Sequence, residues 1–301
     1  MFHVHYIDSL DLPELAPYRT MKRPIAHEAQ GIFVAESEKV VRRLLESHFA
    51  VVSVLLPTKW LPKFEPLLQA RQDDFPVYVV EKKQVLEQLV GFSMFQGIMA
   101  VGKIPAPVSL DDALARSSPP RLFVALDALA NAENLGVLVR NCVAFGVHAL
   151  LVGETSASPF LRRAVRNSMG TIFQLPVVES VSLVRTLEEL RRCGMRCVAA
   201  HPRGTSWSSS LSLSPFARPS APDKLKPGLQ HPLQHKTISQ ADFSGDCCIV
   251  MGSEGDGLSP PVLAACDEAV AIPMPLPVDS LNVGSASAVF LYEANRQRGR
   301  T

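Results

Sequence analysis

The feature that most constrains this chain is a repeated alternation of short apolar runs with segments of helical period. Residues 122–126 (LFVAL) are apolar throughout, too short for a lone helix and the right length for a buried strand. Residues 134–145 follow with apolar positions at helical spacing, and 149–152 read as a strand. Residues 161–168 read as a short basic helix, 183–193 as a helix and 197–200 as a strand. Residues 249–251 and 270–272 are further strands, and 285–298 a closing helix. Strands alternating with helices predict a mostly parallel sheet, the α/β class. Ligands on such sheets sit beyond the carboxyl ends of the strands. Chemistry is therefore expected in the loops after Leu126, Met251 and Ile272.

A smaller α/β unit is predicted over residues 1–103. Its strands are read at 31–36, 51–56, 76–80 and 96–101, and its helices at 38–49, 61–71 and 82–90. The first thirty residues contain a polar, basic stretch, 18–24. Residues 104–120, with prolines and Ser117-Ser118, read as a linker before the larger domain, 121–301. Residues 204–240 are rich in Ser, Pro, His and Gln and lack periodicity, so a mobile insertion or long loop is expected there.

A length of 301 residues suits two domains, and 47% hydrophobic with 20% charged residues is a globular balance. Thirty basic against 29 acidic residues leave a net charge of +1. Overall charge gives no sign of a nucleic-acid partner, so an RNA site must come from local clustering. Cys142, Cys247 and Cys248 lie in apolar runs, as buried reduced thiols do. Cys193 and Cys197 have no second pair at zinc-site spacing, so no metal is expected. No apolar run approaches the roughly 20 residues of a membrane span, and the amino terminus lacks the apolar core of a signal peptide. A cytoplasmic enzyme with no membrane partner is the expectation.

Three stretches could carry chemistry, and each also has an ordinary structural reading. Asn134 precedes a helix and reads as an N-cap or as a functional amide. Gly136 lies four residues before Arg140 and would leave space above its guanidinium; Arg140 is otherwise a surface cation. Residues 252–257 (GSEGDG) follow a strand directly and suit a tight turn or a close backbone approach to a ligand. The Walker lysine is absent there, and the spacing is not that of a dinucleotide loop. Residues 272–284 (IPMPLPVDSLNVG) form a proline-stiffened loop into a helix capped by Asn282 or Ser285, or a ligand-holding loop. Arg162, Arg163 and Arg166 cluster with no acidic residue between Ala157 and Val178. They suit phosphate contact or a solvated helix face.

Taken in order, these segments resemble the SpoU family of RNA 2′-O-ribose methyltransferases, of the SPOUT class. The family's Asn-x-Gly-x-x-x-Arg stands here as Asn134, Gly136 and Arg140. Its Gly-x-Glu-x-x-Gly stands as Gly252, Glu254 and Gly257. Its Ile-Pro-Met and Ser-Leu-Asn-Val stand as Ile272-Pro273-Met274 and Ser280-Leu281-Asn282-Val283. Arg166-Asn167-Ser168-Met169-Gly170 resembles a further family segment. The likeness covers roughly 121–298 apart from 204–240, which is longer than the family's usual connection. Many members have Asp-Pro where this chain has Ala132-Glu133.

The resemblance implies a deep trefoil knot at the carboxyl end, although knotted chains are rare. It implies S-adenosylmethionine as cofactor, held largely through backbone by Gly252, Ile272 and Leu281, with Gly257 and Met274 in the same loops. It places Arg140, Asn134, Glu254, Asn282 and Ser280 in the catalytic site, Glu254 as a loop brace that would pair with Arg140. RNA contacts would fall to Arg162, Arg163, Arg166 and Ser168. The family is dimeric, so a homodimer with the active site near the interface is implied. Residues 1–103 resemble a ribosomal-protein L30e fold that binds substrate, through Phe33-Val34-Ala35-Glu36 and Gln96-Gly97-Ile98. Ribosomal RNA is the expected substrate. The alternatives are transfer RNA, or a catalytically inactive RNA-binding protein, against which the intact motif residues speak.

Overall fold

The computed structural model describes residues 1–81, 86, 97–202, 233–275, 278 and 280–299. Two sheets organise them. The first contains β1 (Phe2–Ile7), β2 (Ile32–Glu36), β3 (Val51–Pro57), β4 (Phe75–Val80) and β5 (Met99–Lys103), in the order β1-β4-β3-β5-β2. Strands β1, β4 and β3 run parallel, and β5 is antiparallel to both β3 and β2. Around it lie helices α1 (Ala16–Arg19), α2 (Pro24–Ala29), α3 (Glu38–Glu46) and α4 (Leu61–Gln69). Helix α3 forms because Val40, Val41, Leu44 and Leu45 share one face, and all four are buried.

The first thirty residues also hold elements that the sequence reading did not assign. Strand β1 extends the sheet along β4, and Leu15, Tyr18 and Met21 are buried beneath it. An edge strand with its central four residues exposed carries no clean two-residue alternation, which is why the pattern hid it. The helix expected at 82–90, apart from buried Leu86, and the strand start at Gln96 lie outside the described residues.

The second sheet contains β6 (Leu122–Leu126), β7 (Ala149–Val152), β8 (Val177–Glu179), β9 (Arg196–Ala200), β10 (Gln234–Thr237), β11 (Cys247–Met251) and β12 (Glu268–Ala271). Its order is β10-β12-β9-β11-β6-β7-β8, and every pairing is parallel. Its helices are α5 (Leu110–Arg116), α6 (Ala132–Ala144), α7 (Arg162–Asn167), α8 (Leu183–Arg192), α9 (Pro260–Ala264) and α10 (Val283–Gln297). Leu122, Val124, Leu126, Ile249 and Met251 point to one face, under α6, α7 and α10. Phe123, Ala125, Cys248 and Val250 point to the other, against α8 and α9. Burial on both faces is why these strands read as unbroken apolar runs.

Two expectations change. The stretch 104–120 is not only a linker: it holds α5, whose first turn is capped by Ser109 Oγ accepting from Asp112 N, with Ala113 in the second core. The stretch 204–240 is not wholly a loop. Residues 203–232 lie outside the described set, but β10 and a turn of 3-10 helix over Ile238–Gln240 follow them, and β10 forms the sheet edge on β12. Four polar residues (QHKT) on an edge give no apolar signal. Cys142, Cys247 and Cys248 are buried free thiols, and burial pushes the Cys247 thiol up to about 11. Among the described residues no helix is long and apolar enough to cross a membrane.

The two sheets share one core. Phe33 and Phe49 pack against Phe160 and Phe173, with ring centroids 5.4–6.1 Å apart. Arg43 donates to the Met169 carbonyl at 2.8 Å. Glu36, at the end of β2, receives both Arg162 and Arg166 of α7.

Candidate functional site

Helix α6 begins two residues earlier than its periodicity suggests, and its cap decides what Asn134 can do. Asn131 Oδ1 accepts from Glu133 N at 2.9 Å and Asn134 N at 3.1 Å. Asn131 is therefore the N-cap, and the Asn134 side chain is released from that role. Asn134 Nδ2 donates to Glu254 Oε1. Asn134 Oδ1 accepts from Asn282 Nδ2 at 2.9 Å. Asn282 Oδ1 accepts from Gly284 N at 2.9 Å and so caps α10. Three sequence-distant motifs thus close into one polar chain, Glu254–Asn134–Asn282, beyond the carboxyl ends of β6, β11 and β12.

Glu254 sits on a loop that the backbone itself closes. Ser253 and Gly257 exchange two backbone hydrogen bonds, at 3.0 and 3.1 Å. A Cβ on Gly252 would lie 2.2 Å from Gly257, and Gly257 takes a left-handed φ of +69°. Both positions therefore need glycine. No described residue stands within 4 Å of a Cβ placed on Gly255 or Gly257. Such a loop fits a ligand read through main-chain groups. In the neighbouring loop Ile272 is half-buried against the core and Met274 half-buried, while Ser280 and Leu281 are exposed. Leu276, Pro277 and Asp279 of this loop lie outside the described residues.

Three supporting residues were not singled out from sequence. Asp127 is buried, and its Oδ2 accepts from Ser259 N at 2.6 Å, tying the loop after β6 to the one after β11. Asn131 is the cap described above. Asn141 Nδ2 donates to Gly284 O at 2.7 Å and lies 2.9 Å from Ser287 Oγ, binding α6 to α10. Asn141 follows Asn134 by seven residues, so a polar stripe on one helical face was its available signal.

Gly136 does not open space for Arg140. A Cβ there would meet Ala164 O at 2.5 Å and Asn167 Cβ at 2.6 Å, so the glycine lets α7 lie directly on α6. Arg140 is exposed and makes no hydrogen bond or ion pair with a described residue. Six residues of helix place it about 9 Å along the axis from Asn134 and about 120° around it. The expected Glu254–Arg140 pairing is accordingly absent, because Asn134 takes the carboxylate.

The basic cluster also differs from its sequence reading. Arg162 and Arg166 share buried Glu36, brought from the other sheet. Arg163 stays exposed, 3.6 Å from Glu133. Ser168 is fully buried and donates to Val165 O at 2.8 Å, so it shapes the end of α7 and does not face solvent where RNA would lie.

Comparison with known proteins identifies the family. The model of the SpoU rRNA methylase family matches residues 121–292. An uncharacterized tRNA/rRNA methyltransferase of Mycobacterium avium (strain 104) is 31% identical over 234 residues, covering 76% of this chain and 65% of the relative. The chain thus spans just under two thirds of that relative's length. The crystal structure of an AdoMet-bound rRNA methyltransferase from Sinorhizobium meliloti superposes with a TM-score of 0.75 at 20% identity, covering 97% of this chain and 98% of that one. That of an RNA 2′-O ribose methyltransferase gives a TM-score of 0.72 at 24% identity, covering 98% and 99%. The fold is shared across both sheets. Since the family's match spans more than half the chain, and includes every member of the Glu254–Asn134–Asn282 network, this protein belongs to the SpoU rRNA methylase family.

Proposed function

We propose that this protein uses S-adenosylmethionine to methylate a ribose 2′-oxygen of RNA, with ribosomal RNA as its substrate. The observation that carries the reading is the polar chain Glu254–Asn134–Asn282, which joins three loops beyond the strand ends into one site. Family membership and the Ser280-Leu281-Asn282 motif support the choice of chemistry.

When bound, the cofactor supplies an electrophilic methyl group. The backbone of Gly252 and Gly257, with Ile272, Met274 and Leu281, would hold it through main-chain and apolar contacts. Asn134 and Asn282, fixed by each other and by Glu254, would orient the ribose, and Ser280 would position it at the exposed rim. Alignment of the attacking oxygen with the methyl lowers the barrier by limiting the geometries searched. A 2′-hydroxyl must shed its proton as it attacks. A guanidinium is a fixed cation. Arg140 therefore acts by steadying the developing alkoxide or an adjacent phosphate, with the proton passing to solvent.

Arg140 lies away from the polar chain within one protomer, so a second copy is the natural way to complete the site. Val137 on α6 and Val289 and Tyr292 on α10 are exposed apolar side chains on two helices packed together. They form the proposed face of a homodimer. Residues 1–103 serve as the substrate-binding unit and 121–301 as the catalytic one, and the carboxyl-terminal segment carries the trefoil knot. Arg163 and the exposed part of Arg166 contact RNA phosphates.

The test is transfer of tritium-labelled methyl from the cofactor to ribosomal and transfer RNA, followed by mapping of the modified nucleotide. Label on a ribosomal RNA ribose is expected. Label on transfer RNA alone would move the substrate assignment, and label on a base would overturn the chemistry. Arg140→Ala should bind the cofactor normally and lose transfer by at least about 100-fold, the scale of one lost charge-stabilising donor. Near-normal turnover would contradict its role.

A further inference from the structure

A cleft of about 360 Å3 opens between the two sheets. That volume is at the low end for sites that enclose a small organic group. Phe33, Ile104, Phe160 and Leu161 give it apolar walls, and Ser158 also lines it. Lys22, Arg162, Arg163 and Glu28 also line it, and Glu36 and Glu133 stand beside Arg162 and Arg163. His27 also lines it, and burial lowers its pKa from the ordinary histidine value.

The state of these cations matters. Arg162 is mostly buried and fixed by Glu36, which Arg166 also approaches at 3.2 Å, so two guanidiniums share one carboxylate. Arg163 is 68% exposed and lies 3.6 Å from Glu133, itself 60% exposed. An exposed pair of that kind is weak, so Arg163 can turn to another anion at little cost. An apolar slot with an exposed, weakly paired arginine at its rim suits a nucleotide, base inside and phosphate on Arg163. Proteins read single-stranded RNA in this way, by splaying bases out of the chain into apolar pockets.

Position makes the same point. Ala132, the first residue of α6, lines the cleft, and Asn134 of the polar chain is two residues further on. Two residues of helix, about 3 Å of rise and about 200° around the axis, separate the two. We propose that this cleft receives a nucleotide of the substrate RNA other than the one that is methylated, its base between the two sheets and its phosphate on Arg163. The proposal rests on the RNA methyltransferase reading and adds to it a second recognition point built jointly by both units. Methylation would then depend on a neighbouring unpaired nucleotide, which selects for loops over duplex.

The experiment uses the full chain and short single-stranded RNAs of mixed sequence containing 4-thiouridine. Photo-crosslinks on the wild-type protein should map to residues 21–33 or 158–163; crosslinks confined to other segments overturn the proposal. Binding is then measured by fluorescence polarisation. Ser158→Trp plugs the slot without changing charge, and Arg163→Glu reverses the charge at its rim; each should weaken affinity by about tenfold with cofactor affinity unchanged. Arg185→Glu, an exposed charge change on α8 across the sheet, should stay within twofold. If Arg163→Glu weakens binding and Ser158→Trp does not, the rim is only an electrostatic patch and the base site is overturned. Wild-type protein that binds no strand overturns the cleft and the RNA reading together, whereas binding with crosslinks confined to other segments overturns the cleft alone.

Discussion

At the scale of single residues, the most informative side chains are those with two tasks. Asn282 caps α10 with its oxygen and reaches Asn134 with its nitrogen, so helix capping and site geometry are one requirement. Gly136 is defined by what would replace its hydrogen. An added Cβ meets the Ala164 carbonyl at 2.5 Å, and backbone cannot swing aside as a side chain would. Gly136→Ala should therefore lower stability by roughly 1–3 kcal/mol despite better helix propensity, a cost of the size seen for overpacking. Urea unfolding measures it; an unchanged midpoint would mean that α7 can slide. Asp73 offers a pH test. Its carboxylate pairs with Arg71 at 2.6 Å, and Arg71 also donates to the carbonyls of Leu45, Ser47 and Phe49. The Arg71 hydrogen bonds hold the Asp73 pKa down at about 2, against 3.8 ordinarily. A depressed carboxylate stabilises the fold above its unfolded pKa and stops doing so as pH falls through the folded one. The melting-temperature advantage of wild type over Asp73→Asn should be constant above about pH 4 and shrink toward pH 2. An advantage equal at pH 2.5 and pH 7 would refute the assignment.

At the scale of elements, α7 is the hinge of the design. It is six residues long, too short to be stable alone. Glu36 of β2 holds it from one side through Arg162 and Arg166, and the Gly136 notch of α6 receives it on the other. The placement of α6, and so of Asn134 and Arg140, is thereby coupled to the first sheet. Glu36→Gln removes the charge that both guanidiniums share, while Arg162 remains mostly buried. The expected loss is about 2–4 kcal/mol, somewhat below a fully buried pair because Arg166 is half-exposed. Chemical denaturation checks this, and a loss under about 0.5 kcal/mol would show a pair no stronger than an ordinary surface one.

At the scale of the whole molecule, the exposed Val137, Val289 and Tyr292 bear on assembly. Exposed apolar side chains on two packed helices would suit a symmetric interface in the proposed homodimer. Tyr292→Asp places a charge there and should shift the protein toward monomer in sedimentation velocity, with methyl transfer falling in parallel. A monomeric wild type of full activity would remove the dimer from the proposal and oblige Arg140 to act within its own chain.

The amino-acid sequence by itself determined the class of fold and the order of the motifs. Strands buried on both faces, such as β6 and β11, read as unbroken apolar runs, and the parallel sheet follows from them. The motifs around Asn134, Glu254 and Asn282 were legible because each couples a local signal, a helix start or a glycine turn, to a fixed spacing. Edge strands β1 and β10 were not legible, since exposed strands carry no burial pattern. Only the tertiary structure decided which polar group meets which. Asn134 is 120 residues from Glu254 and 148 from Asn282, and no local rule joins them. Likewise the basic cluster on α7 looked uncompensated until Glu36 arrived from 126 residues away. Propensity and periodicity act over a few residues, whereas charge pairing and close packing act through space, so the partners of Arg162, Gly136 and Asn134 belong to the fold.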